Sequence, residues 1–286
     1  MKIQGCENPF AHKKQAIKQK FLKNLLKRKR KLFKILGAKI DNVDMVEALL
    51  RLQPFIGKGE ARQTVTLNAE MLYRAQKNGE LLRIINGADL VTADGVGIVW
   101  AARVLGAPLK GRVTGIDLMK ELCRQAAGNN WKVFLLGGEP GVAEQAAQKL
   151  KRELAGLGVA GTYHGFFSGE EWGEERVLAQ IGAARPQILF VGMGSPMQEY
   201  WISENKARLA CDIVLGVGGS FDVISGRVMR APVLWQKLRL EWLWRAVVQP
   251  RRIPRLFILP LFVWKVLLHK WRKEAELRKK NGGRLF

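Results

Sequence analysis

The sequence predicts an α/β protein: a mostly parallel, Rossmann-like sheet with helices on both faces. Two observations carry this expectation. Apolar, β-branched runs alternate with helical patterns from residue 64 onward, the signature of βαβ units whose sheet is covered on both faces. No internal repeat or low-complexity segment interrupts that alternation before residue 226. A third observation sets the limits of the body: its flanks have a different texture, strongly basic on both sides.

Taken in order, residues 13–36 place Ile17, Phe21, Leu25, Leu32 and Leu36 near helical spacing among lysines, which predicts a basic amphipathic helix ended by Gly37. The runs 64–68, 90–94, 132–138 and 187–194 are read as strands, each leading into a helix. The run 212–220 is read as a fifth strand leading into a loop. After Gly226 the chain is rich in Trp and Arg, and prolines 250, 254 and 260 divide it into short helices. The organisation expected is a basic extension over 1–38, an α/β core over 39–226 and a helical, basic appendage over 227–286.

With 48% hydrophobic and 26% charged residues, the 286-residue chain has an ordinary globular composition. Its net charge of +23 is unusual, and the placement of that charge is informative. Residues 1–40 hold 13 Lys/Arg against one acid, and residues 227–286 hold 16 against three, whereas the middle is close to neutral. Basic ends seek anions, either nucleic acid or an anionic membrane surface. Five of the nine tryptophans (235, 242, 244, 264 and 271) lie in the basic C-terminal part, which favours a membrane interface. A helical pair packed on the core is the plainer alternative, and the two are compatible if inner and outer faces differ. No run approaches the ~20 apolar residues of a spanning helix, and no signal peptide is visible. Three cysteines without a CxxC pair point to a reducing compartment, so a cytoplasmic protein is expected.

In an open α/β sheet, ligands bind at the carboxyl ends of the strands. The residues there are Thr66 and Asn68, Asp94, Gly137 and Gly138, Gly192 and Gly194, and Gly218 with Asp222 close behind. Glycine turns let backbone N–H groups approach phosphate oxygens, so several together suggest a nucleotide or diphosphate, although glycine also simply makes tight turns. No GxGxxG opens a first βαβ unit, no GxxxxGK[ST] is present, the three histidines are scattered and no DxD appears. A diphosphate leaving group without a metal needs arginine, amides or hydroxyls, and Arg112 suits that task, with Arg103 as the alternative. Asp94 is either the N-cap of the helix that follows it or a base that accepts a proton from an attacking hydroxyl. Arg112 as a surface cation, Gln198 as a first-turn helix residue and Asp222 as a loop cap are the corresponding plain readings.

The segments TLNAEML, ADLVTADGVGIVWAARVLG, RVTGIDL, VFLLGG, YHGFF, VGMGSPMQE, GVGGSFD and EWLWR…QPRR occur in an order that resembles the WecG/TagA/CpsF family of bacterial glycosyltransferases, glycosyltransferase family 26. The resemblance runs from about Ile35 to Arg255. It implies an inverting, metal-independent, cofactor-free transfer from a UDP-sugar to an undecaprenyl-diphosphate-linked sugar at the cytoplasmic face of the membrane, by a peripheral enzyme. The commonest version adds N-acetylmannosamine to lipid-linked GlcNAc, an early step of wall teichoic acid linkage; mannosaminuronic acid or glucose donors are the family alternatives. Carried over residue by residue, the resemblance implies Thr66 and Asn68 in the pocket, Asp94 as base, Arg112 at the diphosphate and Gln198 near the sugar. It also implies Arg245, Arg251, Arg252 and Arg255 at the acceptor diphosphate and membrane. A homo-oligomer stays open. A nucleic-acid partner is not expected, because no finger or RNP pattern accompanies the basic ends. A nicotinamide dehydrogenase is the more distant rival.

Overall fold

The structure, a computed structural model, describes residues 30–282 except 170, 239 and 250–252. The helix expected over 13–36 falls outside these residues as far as 29. Its last part is not helical. β1 (Leu32–Ile35) and β2 (Ala38–Asp41) form an antiparallel hairpin, with positive φ at both Leu36 and Gly37 as a two-residue I′ turn requires. Of the residues read at helical spacing, Leu32 opens β1 and is exposed, whereas Leu36 lies in the turn and is buried. The hairpin crosses the expected boundary at residue 38.

Asp41 fastens the hairpin to the body. Its buried carboxylate accepts from Arg30 (2.6 and 2.7 Å), Arg51 (2.7 Å) and the Val91 N–H (2.9 Å). Such a carboxylate is tolerated in the interior because every bond it accepts is matched by charge or by a backbone donor.

Six parallel strands make the central sheet: β3 (Arg62–Leu67), β4 (Leu90–Ala93), β5 (Lys132–Gly137), β6 (Gly158–Tyr163), β7 (Ile188–Gly192) and β8 (Ile213–Gly216). Their order is β4-β3-β8-β7-β5-β6. Strand residues alternate between faces, as the period of two dictates. Val133, Leu135, Ile188, Phe190, Ile213 and Leu215 bury against helices Met45–Leu52, Gly115–Asn129 and Val142–Glu153. Phe134, Leu136, Leu189, Val191 and Val214 face the Gly173–Ala184 and Met197–Asn205 helices on the other side. The chain runs from β5 outward to β6 but from β7 back to β8, so the strand order reverses between β5 and β7. That reversal opens a crevice at their carboxyl ends.

Two expectations change downstream. The residues after β8 form a short helix, Ser220–Ser225, rather than a loop. The C-terminal part ends in one long helix, Ile258–Gly282. Pro260 does not break it, because a proline in the first turn removes an N–H that has no intrahelical partner. Phe262 and Val266 on this helix are buried (1% and 0% exposed) against the Ala69–Ala75 and Val96–Val104 helices. Burying two such side chains contributes about 3–6 kcal/mol to holding the helix in place. Leu261, Trp264 and Trp271 remain exposed. Inner and outer faces thus differ. Among the described residues, no helix is long and apolar enough to cross a membrane.

Candidate active site

Parallel pairing of β3 with β4 puts Thr66 beside Thr92 and Leu67 beside Ala93, so Asn68 and Asp94 emerge together at the carboxyl edge. Asn68 caps the Ala69–Ala75 helix, its Oδ1 accepting the Met71 N–H at 2.8 Å. Asp94 does not cap its own helix: the N-cap there is Gly95, with no side-chain bond. Instead its Oδ2 accepts from Gly115 N–H (3.2 Å), the first residue of the Gly115–Asn129 helix. A helix start favours a carboxylate through its exposed N–H groups and dipole. Thr66, 8% exposed, lies beneath the same spot: a Cβ on Gly115 would stand 3.1 Å from Thr66 Oγ1.

Arg112 belongs to the turn leading into that helix start. Its Nη2 donates to Glu241 Oε1 at 3.1 Å, joining the core to the C-terminal appendage. A second pair reinforces the junction, with Arg230 on Asp117 at 2.6 Å. Burial works against ionising Asp117, but hydrogen bonds from Thr114 and Arg230 and the charges of Arg230 and Arg112 outweigh it, holding the carboxyl below its ordinary range. Next to these residues lies a cavity of about 250 Å3, lined by Val96, Val99, Arg103, Leu109, Lys110, Arg112 and Lys237 among others. Four cations and three aliphatic side chains suit a ligand with both anionic and apolar parts.

The glycines at the strand ends divide into two kinds. A Cβ on Gly137 would collide with Gly192 at 2.5 Å, and one on Gly192 with Phe221 at 2.7 Å, so these two serve close packing. Gly194 and Gly218 face open space at positive φ, where the backbone itself requires glycine. The phosphate-cradle expectation loses two donors here. Gly138 N–H bonds Gly192 O (3.0 Å) and Gly218 N–H bonds Gln198 Oε1 (2.9 Å).

Gln198 is therefore a buried brace, 3% exposed, whose Nε2 donates to Glu199 Oε1 at 2.8 Å. Asp222 is helical, one turn behind Gly218. Arg251 and Arg252, and the side chains of Arg245 and Arg255, lie outside the described residues.

Sequence reasoning passed over Glu199. It is 2% exposed at the start of the Met197–Asn205 helix, and burial pushes its carboxyl up to about 7 against the hydrogen bond from Gln198. An acidic first-turn residue normally reads as solvated helix dipole compensation, so no local signal marked it. The TGID segment, by contrast, carried a legible cap: Thr114 Oγ1 accepts the Asp117 N–H at 3.2 Å. Among the described residues, no group of three or more His, Cys, Asp and Glu gathers where it could hold a metal ion.

A Rossmann-like sheet with an acid and an arginine at its carboxyl side, and a cationic cavity lined by that arginine, suits an enzyme that transfers a group from an anionic donor. Residues 33–276 match the glycosyl transferase WecG/TagA/CpsF family, and the chain belongs to it. It is similar to the N-acetylglucosaminyldiphosphoundecaprenol N-acetyl-beta-D-mannosaminyltransferases of Staphylococcus aureus strains NCTC 8325 and COL. Each is 36% identical over 234 residues, covering 81% of this chain and 91% of the relative. The protein of strain MW2 is similar to the same degree.

Proposed function

We propose that this glycosyltransferase moves N-acetylmannosamine from UDP-N-acetylmannosamine to undecaprenyl-diphosphate-linked GlcNAc, with inversion and without a metal ion. The relatives' names support the sugar and the acceptor. The observation that carries the mechanism is the position of Asp94, held on the Gly115 N–H with Arg112 three residues before it and the cationic cavity alongside. The acceptor hydroxyl attacks the anomeric carbon, a new C–O bond forms as the bond to the diphosphate oxygen breaks, and UDP departs. Asp94 takes the hydroxyl proton. Arg112 offsets the charge developing on the leaving diphosphate, exchanging its Glu241 partner for phosphate oxygens.

The acceptor is lipid-linked, and the appendage suits such a substrate. Its inner face is anchored by Phe262 and Val266, while Leu261, Trp264 and Trp271 are presented outward among lysines and arginines. In this reading the enzyme docks peripherally on the cytoplasmic leaflet. A donor screen tests the proposal: UDP release is measured with a panel of UDP-sugars and a short-chain GlcNAc diphospholipid. UDP-N-acetylmannosamine should be used best. Preference for UDP-glucose or UDP-N-acetylmannosaminuronic acid would overturn the assignment of the donor.

A further inference from the structure

Beneath the carboxyl end of β8, two buried side chains and a backbone amide form a short relay. Gln198 Oε1 accepts the Gly218 N–H at 2.9 Å, which obliges its Nε2 to face Glu199 Oε1 at 2.8 Å. The pair lies flat against the last strand residue: a Cβ on Gly216 would stand 2.5 Å from Gln198 Nε2 and 3.2 Å from Glu199 Oε1. Glu199 Oε2 is buried without a hydrogen-bond partner, as is Ser195 Oγ. Ser195 is near enough to favour ionisation of Glu199 but outside bonding geometry.

Among the described residues, no charged side chain acts on this carboxyl. What acts on it is burial first, then Gln198, Ser195 and its own helix backbone. Of the elements packed against its helix, β8 carries no ionisable side chain, the Gly79–Gly87 helix carries only Glu80 and Arg83, both exposed, and the Lys206–Arg208 turn carries Lys206 and Arg208, which pair with Asp89 and Glu175. A buried carboxylate without a cation is costly, and it is costlier still when an anionic ligand approaches the same strand ends.

We propose that Glu199 is a proton-linked positioning residue, which holds the Gln198–Gly218 turn in its neutral form and takes up a proton when the donor diphosphate binds. Neutral Glu199 supplies an acceptor to Gln198 and sets no negative charge beneath the diphosphate. Ionised Glu199 keeps the hydrogen bond but repels the ligand. The inference rests on the reading of the strand-end crevice as a nucleoside diphosphate site. By linkage, a group that must be protonated for binding weakens affinity as pH rises through its free-enzyme pKa.

Calorimetric titration of UDP into the full chain tests it. In buffers of different ionisation enthalpy at pH 7.5, wild-type protein should take up a proton on binding. In Glu199→Gln, an N–H replaces Oε2 beside Ser195 Oγ and the side chain cannot ionise, so the uptake should disappear. The ratio of wild-type to variant Kd should rise about tenfold between pH 6 and pH 8, as a single linked proton requires. No proton uptake by wild-type protein, or equal uptake by a folded variant, overturns the proposal while leaving the UDP site intact. If the variant fails to fold, the wild-type uptake measurement still decides. Absence of UDP binding at every pH overturns both the proposal and the donor reading.

Discussion

Replacing Asp94 with asparagine separates the chemistry of this residue from its structural work. In the native arrangement Oδ2 accepts the Gly115 N–H at 3.2 Å, so the carboxylate also satisfies the start of a 15-residue helix. Asparagine has the same shape and keeps an acceptor at that position. Exchanging a charged acceptor for a neutral one costs about 1 kcal/mol, the difference between the two classes of hydrogen bond. In a domain of this size that lowers Tm by about 2–4 °C. Asparagine cannot take a proton, so the base contribution is lost entirely. Turnover should fall about 10²–10⁴-fold, equivalent to about 2.7–5.5 kcal/mol in the barrier. UDP release under saturating donor and short-chain acceptor gives kcat, calorimetry gives UDP affinity, and a thermal melt checks the fold. Turnover within a few-fold of wild type, with UDP affinity preserved, would refute Asp94 as the base. A melt lowered by 10 °C or more would refute the argument that asparagine replaces it structurally.

Other perturbations follow from the same structure. Excess EDTA should leave activity in place, because in the proposed mechanism Arg112 and the cavity cations carry the leaving-group charge; loss on chelation with restoration by Mg²⁺ or Mn²⁺ contradicts this. Changing Trp264 and Trp271 to alanine together should weaken sedimentation with anionic liposomes and leave the melt unaltered, since both rings are exposed (65% and 68%); unaltered sedimentation contradicts the membrane-facing assignment. Glu199 should also make stability depend on pH. Its folded pKa of about 7 lies above the ordinary 4.5, so between these values the unfolded chain gives up a proton that the folded chain keeps. The stability contribution is full below about 4.5, falls as pH rises to about 7 and is flat above, a change of about 3 kcal/mol. Denaturant titrations of wild type and Glu199→Gln across that window should diverge accordingly, and parallel curves would contradict it.

The sheet was legible because most of its strands are apolar on both faces and run into Gly, Asn or Asp, which marks their carboxyl edge in the sequence itself. Asp94 and Asn68 fell on that edge for the same reason. β6 escaped notice because GVAGTY is a half-exposed edge strand with two glycines and little apolar character. The hairpin escaped because Lys31 and Lys34 continue a lysine-rich helical pattern, whereas the pairing of β1 with β2 and the bonds that Asp41 accepts from Arg30 and Val91 set it as strand. The roles of Gln198, Glu199 and Gly218 depend on a helix start meeting the turn after β8, with Gln198 bonded to Gly218 across 20 residues. Arg112 finds Glu241 across 129 residues. Local patterns identify where such residues sit along the chain, whereas their partners are set by packing.

The proposed transfer has a defined donor, acceptor and stereochemistry, all three of which are read from the product. Purified protein is incubated with UDP-N-acetylmannosamine and a short-chain GlcNAc diphospholipid in the presence of EDTA, and the lipid product is characterised by mass spectrometry and by the anomeric signal in NMR. One β-linked N-acetylmannosamine should be added per UDP released. Release of UDP with free sugar and no extended lipid, or an α-linked product, would contradict it.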